Sequence, residues 1–96
     1  VIINFTDKTT EDIYNGLDSK PARKIPMVIW TIAQRKLDMI DAAADLKDLK
    51  IPPANRLEKL KGALDGYYSI RINDQYRVIF KWINSGAVNV KITDYH

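Results

Sequence analysis

Apolar and polar residues alternate along most of the chain from Tyr68 onward. Tyr68, Ile70 and Ile72 alternate with Ser69, Arg71 and Asn73. Tyr76, Val78, Phe80 and Trp82 alternate with Arg77, Ile79 and Lys81, and Val88, Val90 and Ile92 with Asn89, Lys91 and Thr93. A period of two puts successive side chains on opposite faces of a strand, so three strands with one apolar and one polar face are predicted. Asn73-Asp74-Gln75 and Asn84-Ser85-Gly86 supply turn residues between them, which makes an antiparallel meander.

The first half of the chain changes period. Val1–Phe5 is a short β-branched run that predicts a strand, and Thr9-Thr10-Glu11-Asp12 resembles the capped start of a short helix broken near Gly16. A longer helix is predicted from near Pro26, with Ile29, Ala33, Leu37, Ile40 and Ala44 as its apolar stripe and Ile32, Met39 and Ala43 widening it. Asp38, Asp41, Asp45 and Asp48 then form one acidic flank. Carboxylates on a single helix rarely converge on a metal, so this flank reads as a solvated face or a contact for a basic partner. Pro52-Pro53 ends the helical region. The predicted class is α+β: an N-terminal strand, two helices, and a three-stranded antiparallel meander packed on them.

Face consistency sets the register. A two-residue loop at Asp74-Gln75 pairs Ile72 with Arg77 and mixes the faces; a three-residue loop pairs Ile72 with Tyr76 and Arg71 with Arg77 and keeps them clean. The same reasoning pairs Arg77 with Thr93 and Gln75 with Tyr95. Arg71, Arg77 and Tyr95 are therefore expected to cluster on the open face. Two arginines directly opposite each other repel, which an anion would relieve.

Length and composition narrow the function. A chain of 96 residues fits one domain spanning 1–96. The absence of cysteine excludes disulfides, thiolate metal sites and a cysteine nucleophile. No apolar run approaches the roughly 20 residues of a membrane span and no signal-peptide pattern is present, so a cytoplasmic protein without a membrane partner is expected. The net charge of +3 is uneven: residues 1–48 hold seven Lys/Arg against eight Asp/Glu, and residues 49–96 eight against four. A basic C-terminal half suits a polyanion such as RNA.

No phosphate-binding glycine loop, Cys/His metal pattern or Ser/His/Asp arrangement is present, and neither a cofactor nor a metal is expected. What remains is arginine, lysine, tyrosine, carboxylates and the single histidine, His96. That set suits metal-free RNA cleavage, which needs a base for the 2′-OH, cations for the phosphorane and an acid for the leaving 5′-oxygen. Each group also has a plainer reading: His96 as a chain end, Tyr95 as packing, Lys61 as a cation at a helix end, and Tyr76 and Trp82 as core.

Three segments taken in order carry a resemblance: Asn55–Gly62 (NRLEKLKG), Tyr68–Arg77 (YSIRINDQYR) and Asp94-Tyr95-His96. Together with Arg35–Ala43 and Pro52-Pro53 they resemble the HigB toxins, the plasmid-maintenance branch of the RelE superfamily. The resemblance implies a RelE-like fold and a ribosome-dependent endoribonuclease that cuts mRNA in the ribosomal A site. It also implies a HigA-like helix-turn-helix antitoxin, through which alone operator DNA is bound. By position it implies catalytic roles for Arg77, Lys61, Tyr95 and His96, with Asp94 beside them in the C-terminal part of the active site. Some HigB toxins have a histidine where this chain has Glu58, so the general base is His96 or Glu58. Arg71 and Arg56 join Asp94 as expected RNA-binding groups. A non-catalytic RNA-binding module, or a toxin of this fold acting on gyrase, are the competing readings.

Overall fold

Residues 1–94 of the computed structural model are described. The first helix, α1 (Lys8–Tyr14), is capped by Asp7, whose carboxylate accepts from Thr10 N at 2.9 Å. The cap thus lies ahead of the predicted Thr9. Its buried face does more than pack: Thr10 Oγ1 accepts from the backbone N–H of Ile92 at 2.9 Å and ties the helix to the sheet. Asp12, also buried, accepts from Ser19 Oγ at 2.6 Å and stands 3.2 Å from Lys8 Nζ.

The second helix, α2 (Trp30–Ala42), follows a 3-10 turn at Met27–Ile29, so Pro26 precedes a turn rather than opening the helix itself. Ala33, Leu37 and Ile40 are its buried stripe, as the period predicts; Ile32 is 40% exposed. The helix ends before Ala44, and Asp45 and Asp48 form a capping box around a separate 3-10 turn, Leu46–Lys50. Asp41 accepts from the backbone N–H of Ile2 at 2.9 Å. The predicted acidic flank is therefore not one helical face. Their short carboxylates accept from backbone N–H groups instead, Asp41 from the N-terminal segment and Asp45 and Asp48 at the start of the following 3-10 turn.

Four strands form an antiparallel sheet in sequence order: β1 (Glu58–Lys59), β2 (Tyr68–Arg71), β3 (Tyr76–Ile83) and β4 (Gly86–Asp94). The register Arg71 to Arg77 and Arg77 to Thr93 is as predicted. The predicted partnership of Gln75 with Tyr95 lies outside the described residues. The meander gains β1 as a short outer strand that the sequence pattern did not announce. Val1–Phe5 contributes two parallel bridges to β4, at Ile2–Ala87 and Phe5–Val90, in place of a full strand.

One irregularity changes the faces. Ile79 pairs with Lys91 but Lys81 pairs with Val88, so Asn89 and Val90 together oppose Phe80. Asn89 has φ +55°, the left-handed geometry of a bulge residue. Past it the parity reverses: Ala87, not Val88, is buried opposite Trp82, while Val88 joins Lys81. Asn4 holds the bulge, accepting from Asn89 N and donating to Asn89 Oδ1, each at 3.0 Å. On the apolar face, Ile70, Val78, Phe80, Val90 and Ile92 pack with Ile13, Leu37 and Ile40 of the helices. Burying Phe80 fully contributes up to about 3 kcal/mol.

Candidate active site

The β2–β3 register sets Arg71 directly opposite Arg77, and the two guanidinium groups are handled differently. Arg71 turns toward the hairpin and pairs with Asp74. Arg77 is only 7% exposed. Its Nε donates to Ser69 Oγ at 2.8 Å, and one terminal nitrogen donates to the Arg56 carbonyl at 2.6 Å. The other terminal nitrogen is 3.8 Å from Glu58 Oε1. A buried guanidinium is stable only when its donors are met by acceptors, and these partners fix its plane. The expected cluster on an open face is corrected in one respect: Arg71 and Arg77 do stand opposite each other, but Arg77 is buried, with Glu58 of β1 and the Arg56 carbonyl before it folded over one side.

Arg56 contributes chiefly through its backbone. It ends the 3-10 turn Pro53–Asn55 in the left-handed region at φ +46°, which aims its carbonyl at Arg77 while its side chain is exposed. Glu58 pairs with Ser69 across β1–β2, so its half-exposed carboxylate lies on the face of the Arg77 site. Asp94 ends β4 opposite Tyr76, and its Oδ2 accepts from Gln75 Nε2 at 3.0 Å. Lys61 is exposed and opens the 3-10 turn Gly62–Leu64, so it does not sit at a helix C-terminus as its plainer reading required. Tyr76 and Trp82 pack against the core. The expected roles of Tyr95 and His96 fall on residues outside those described.

Two groups here escaped the sequence reading. Asn55 is fully buried; its amide donates to the Leu49 carbonyl at 3.2 Å and its Oδ1 accepts from Lys36 Nζ at 2.6 Å. Burial, and then the charge of Arg71, lower the Lys36 pKa below the usual lysine value. Lys36 thus adds a cation near Arg71 from α2, a helix whose sequence pattern pointed only to core and acidic faces. Ser69 is the second, a buried hydroxyl whose place in the alternation gave its face but not its acceptor role. Among the described residues no group of three His, Cys, Asp or Glu side chains is placed to hold a metal, and no helix is long and apolar enough to cross a membrane.

With this geometry in place, comparison with known proteins is decisive on family. Residues 3–96 match the family model described as the RelE-like toxin HigB of type II toxin-antitoxin systems. The chain belongs to this HigB-like toxin family. Toxin HigB-1 of Vibrio cholerae serotype O1 is 47% identical over 87 residues, covering 91% of this chain and 90% of that one. Endoribonuclease HigB of Proteus vulgaris is 34% identical over 61 residues, 64% of this chain and 65% of that protein. The YoeB dimer from Staphylococcus aureus superposes with a TM-score of 0.60 at 24% identity, covering 100% of this chain and 97% of that one. YoeB in its complex with YefM, from the same organism, gives 0.56 at 21% identity, covering 100% and 99%. These structures support the fold, and the HigB-like toxin has the α+β RelE-like architecture that the resemblance implied.

Proposed function

We propose that this HigB-like toxin is a metal-independent endoribonuclease that cuts mRNA in the ribosomal A site, and that a HigA-like helix-turn-helix antitoxin neutralises it. The observation that carries the reading is the buried Arg77, clamped by Ser69 and the Arg56 carbonyl with Glu58 alongside. A cation held in a fixed plane stabilises charge that develops on a phosphorane without reorganising at the moment of reaction. The Proteus vulgaris relative is named an endoribonuclease, which supports the same chemistry.

In this mechanism the scissile phosphate approaches the Arg77 floor, with Arg71, Lys61 and the Arg56 side chain offsetting backbone charge. His96 or Glu58 removes the 2′-OH proton; the 2′-oxygen attacks phosphorus and the bond to the 5′-oxygen breaks. Tyr95 orients a base or protonates the departing 5′-oxygen, and Asp94 positions the RNA beside it. The products are a 2′,3′-cyclic phosphate and a 5′-hydroxyl.

Induced expression of the wild type, Arg77→Ala and a chain lacking His96 tests the assignment, with mRNA 5′ ends mapped against codon phase. The wild type is expected to arrest growth with codon-phased cuts, and both variants to lose them. Undiminished arrest by both variants sinks the site assignment. RNA binding without cleavage marks a non-catalytic module, and a DNA-damage response with intact mRNA marks a gyrase-directed toxin.

A further inference from the structure

A second surface lies behind the strands that carry the site. Glu58 and Ser69 pair with their side chains toward Arg77, so the next pair, Lys59 and Tyr68, points to the opposite face. There the 3-10 turn Leu46–Lys50 and β1 enclose a cleft of about 380 Å³. That volume is at the lower end for ligand pockets, enough for one or two large side chains rather than a folded surface. Its floor is apolar: Leu46, Leu57 and Tyr68, all half-buried, with the Tyr68 ring stacked on the core Phe80 at 6.3 Å. Its rim is basic: Lys47, Lys50 and Lys59 line it, all exposed, and none has an ion-pair partner among the described residues. The one acidic lining residue, Asp45, is engaged as a cap, accepting from Lys47 N at 3.0 Å.

We propose that this cleft behind β1–β2 docks an acidic amphipathic peptide segment of a partner protein, with leucine-type side chains on Leu46, Leu57 and Tyr68 and carboxylates against Lys47, Lys50 and Lys59. Three exposed ammonium groups around an apolar floor repel a basic segment and attract an acidic one, and charge complementarity of this kind sets partner choice. RNA fits less well. A base needs hydrogen-bond partners along its edge, which two leucine side chains do not supply, and the ring of Tyr68 is already stacked on Phe80. The occupant sits on the face away from Arg77, so peptide and RNA bind together and do not compete. This holds whether or not the Arg77 site cleaves RNA.

The test is a titration of the full chain followed by amide NMR shifts. The ligand is a short peptide alternating pairs of glutamate and leucine, compared with a lysine-for-glutamate and a serine-for-leucine counterpart. The acidic amphipathic peptide is expected to shift Leu46, Leu57 and Tyr68, and to bind at least about tenfold more tightly than either counterpart. The Lys47→Glu/Lys59→Glu double variant and, separately, Leu57→Ser should each weaken it by about tenfold, while Lys24→Glu, outside the cleft, leaves it unchanged. A deoxy-substituted, uncleavable RNA oligonucleotide should leave its affinity within about twofold. Equal binding of the lysine peptide, shifts confined to other surfaces, or indifference to both cleft variants overturns the proposal. Displacement of the peptide by the oligonucleotide from the cleft resonances also overturns it and assigns the cleft to nucleic acid.

Discussion

Ser69→Ala isolates the clamp on Arg77 without removing its charge. The hydroxyl is fully buried and accepts from Arg77 Nε at 2.8 Å; the remaining contact between these residues, from the terminal nitrogen to the Ser69 carbonyl, is longer at 3.4 Å. Hydrogen bonds to charged groups contribute about 1.5–3 kcal/mol, and the variant leaves a buried donor without this acceptor. For a domain of this size that lowers Tm by roughly 6–24 °C, measurable by circular dichroism. The functional consequence follows from geometry: freed on one side, the guanidinium plane is expected to rotate about its hydrogen bond to the Arg56 carbonyl and its looser ion pair with Glu58. A misplacement of about 1 Å in a catalytic group costs on the order of 10²-fold in rate. The assay is cleavage of a defined mRNA on purified ribosomes, normalised to folded protein, with kcat and KM separated. The expectation is a fall in kcat larger than any rise in KM. A lower Tm with unchanged kcat refutes the reasoning, because Arg77 is then a structural cation and phosphate stabilisation lies elsewhere.

Arg56→Gly keeps the carbonyl that holds Arg77 and removes only the side chain, at a position with φ +46° that glycine adopts without strain. Its stability should be unchanged or rise by up to about 1 kcal/mol, and cleavage should weaken only through KM; denaturant midpoints and kinetics check both. Asn55→Ala leaves the Leu49 carbonyl without its side-chain donor and releases Lys36, with a cost of about 1–3 kcal/mol in urea unfolding. Phe80→Ala removes a fully buried ring at the centre of the core and should cost about 3–5 kcal/mol by the same measurement. The hydrogen bond from Ser19, and then Lys8, hold the Asp12 carboxyl below its ordinary 3.8. A depressed carboxylate stabilises the fold above its unfolded value and loses that contribution as pH falls through the folded one. Asp12→Asn should therefore flatten the acid side of a Tm-against-pH curve below about pH 4.

How much of this was legible depended on whether a residue's role was local. Alternation and the demand for clean faces placed Arg71 beside Arg77 and Arg77 beside Thr93, because one buried face penalises every slip in register. The same reasoning failed past Asn89, where Ala87 and Val88 are both apolar and a one-residue bulge exchanges them without any change in pattern. The acidic residues misled for a related reason. Asp45 and Asp48 have the spacing of a capping box as well as that of a helical flank, and the capping geometry prevailed because the 3-10 turn that starts after Asp45 leaves its first backbone N–H groups without partners.

The site shows the limit of local reading most clearly. The charge of Arg77 is visible in the sequence; its burial is not, since it depends on a hydroxyl 8 positions away and a backbone carbonyl 21 positions away. A carbonyl carries no residue-type signal, and its direction rests on Arg56 taking a conformation that its side chain disfavours. Asn55, immediately before it, anchors that turn through Leu49 and Lys36. The apparent conflict of two facing arginines is thereby settled inside the fold: Asp74 takes one, and Ser69, Arg56 and Glu58 take the other. An anion is not needed to hold the pair together. On the proposed function, an RNA phosphate would meet at Arg77 a cation already fixed in place, and the Pro53–Asn55 turn with Arg56 at its end is as much a part of that arrangement as the sheet that carries it.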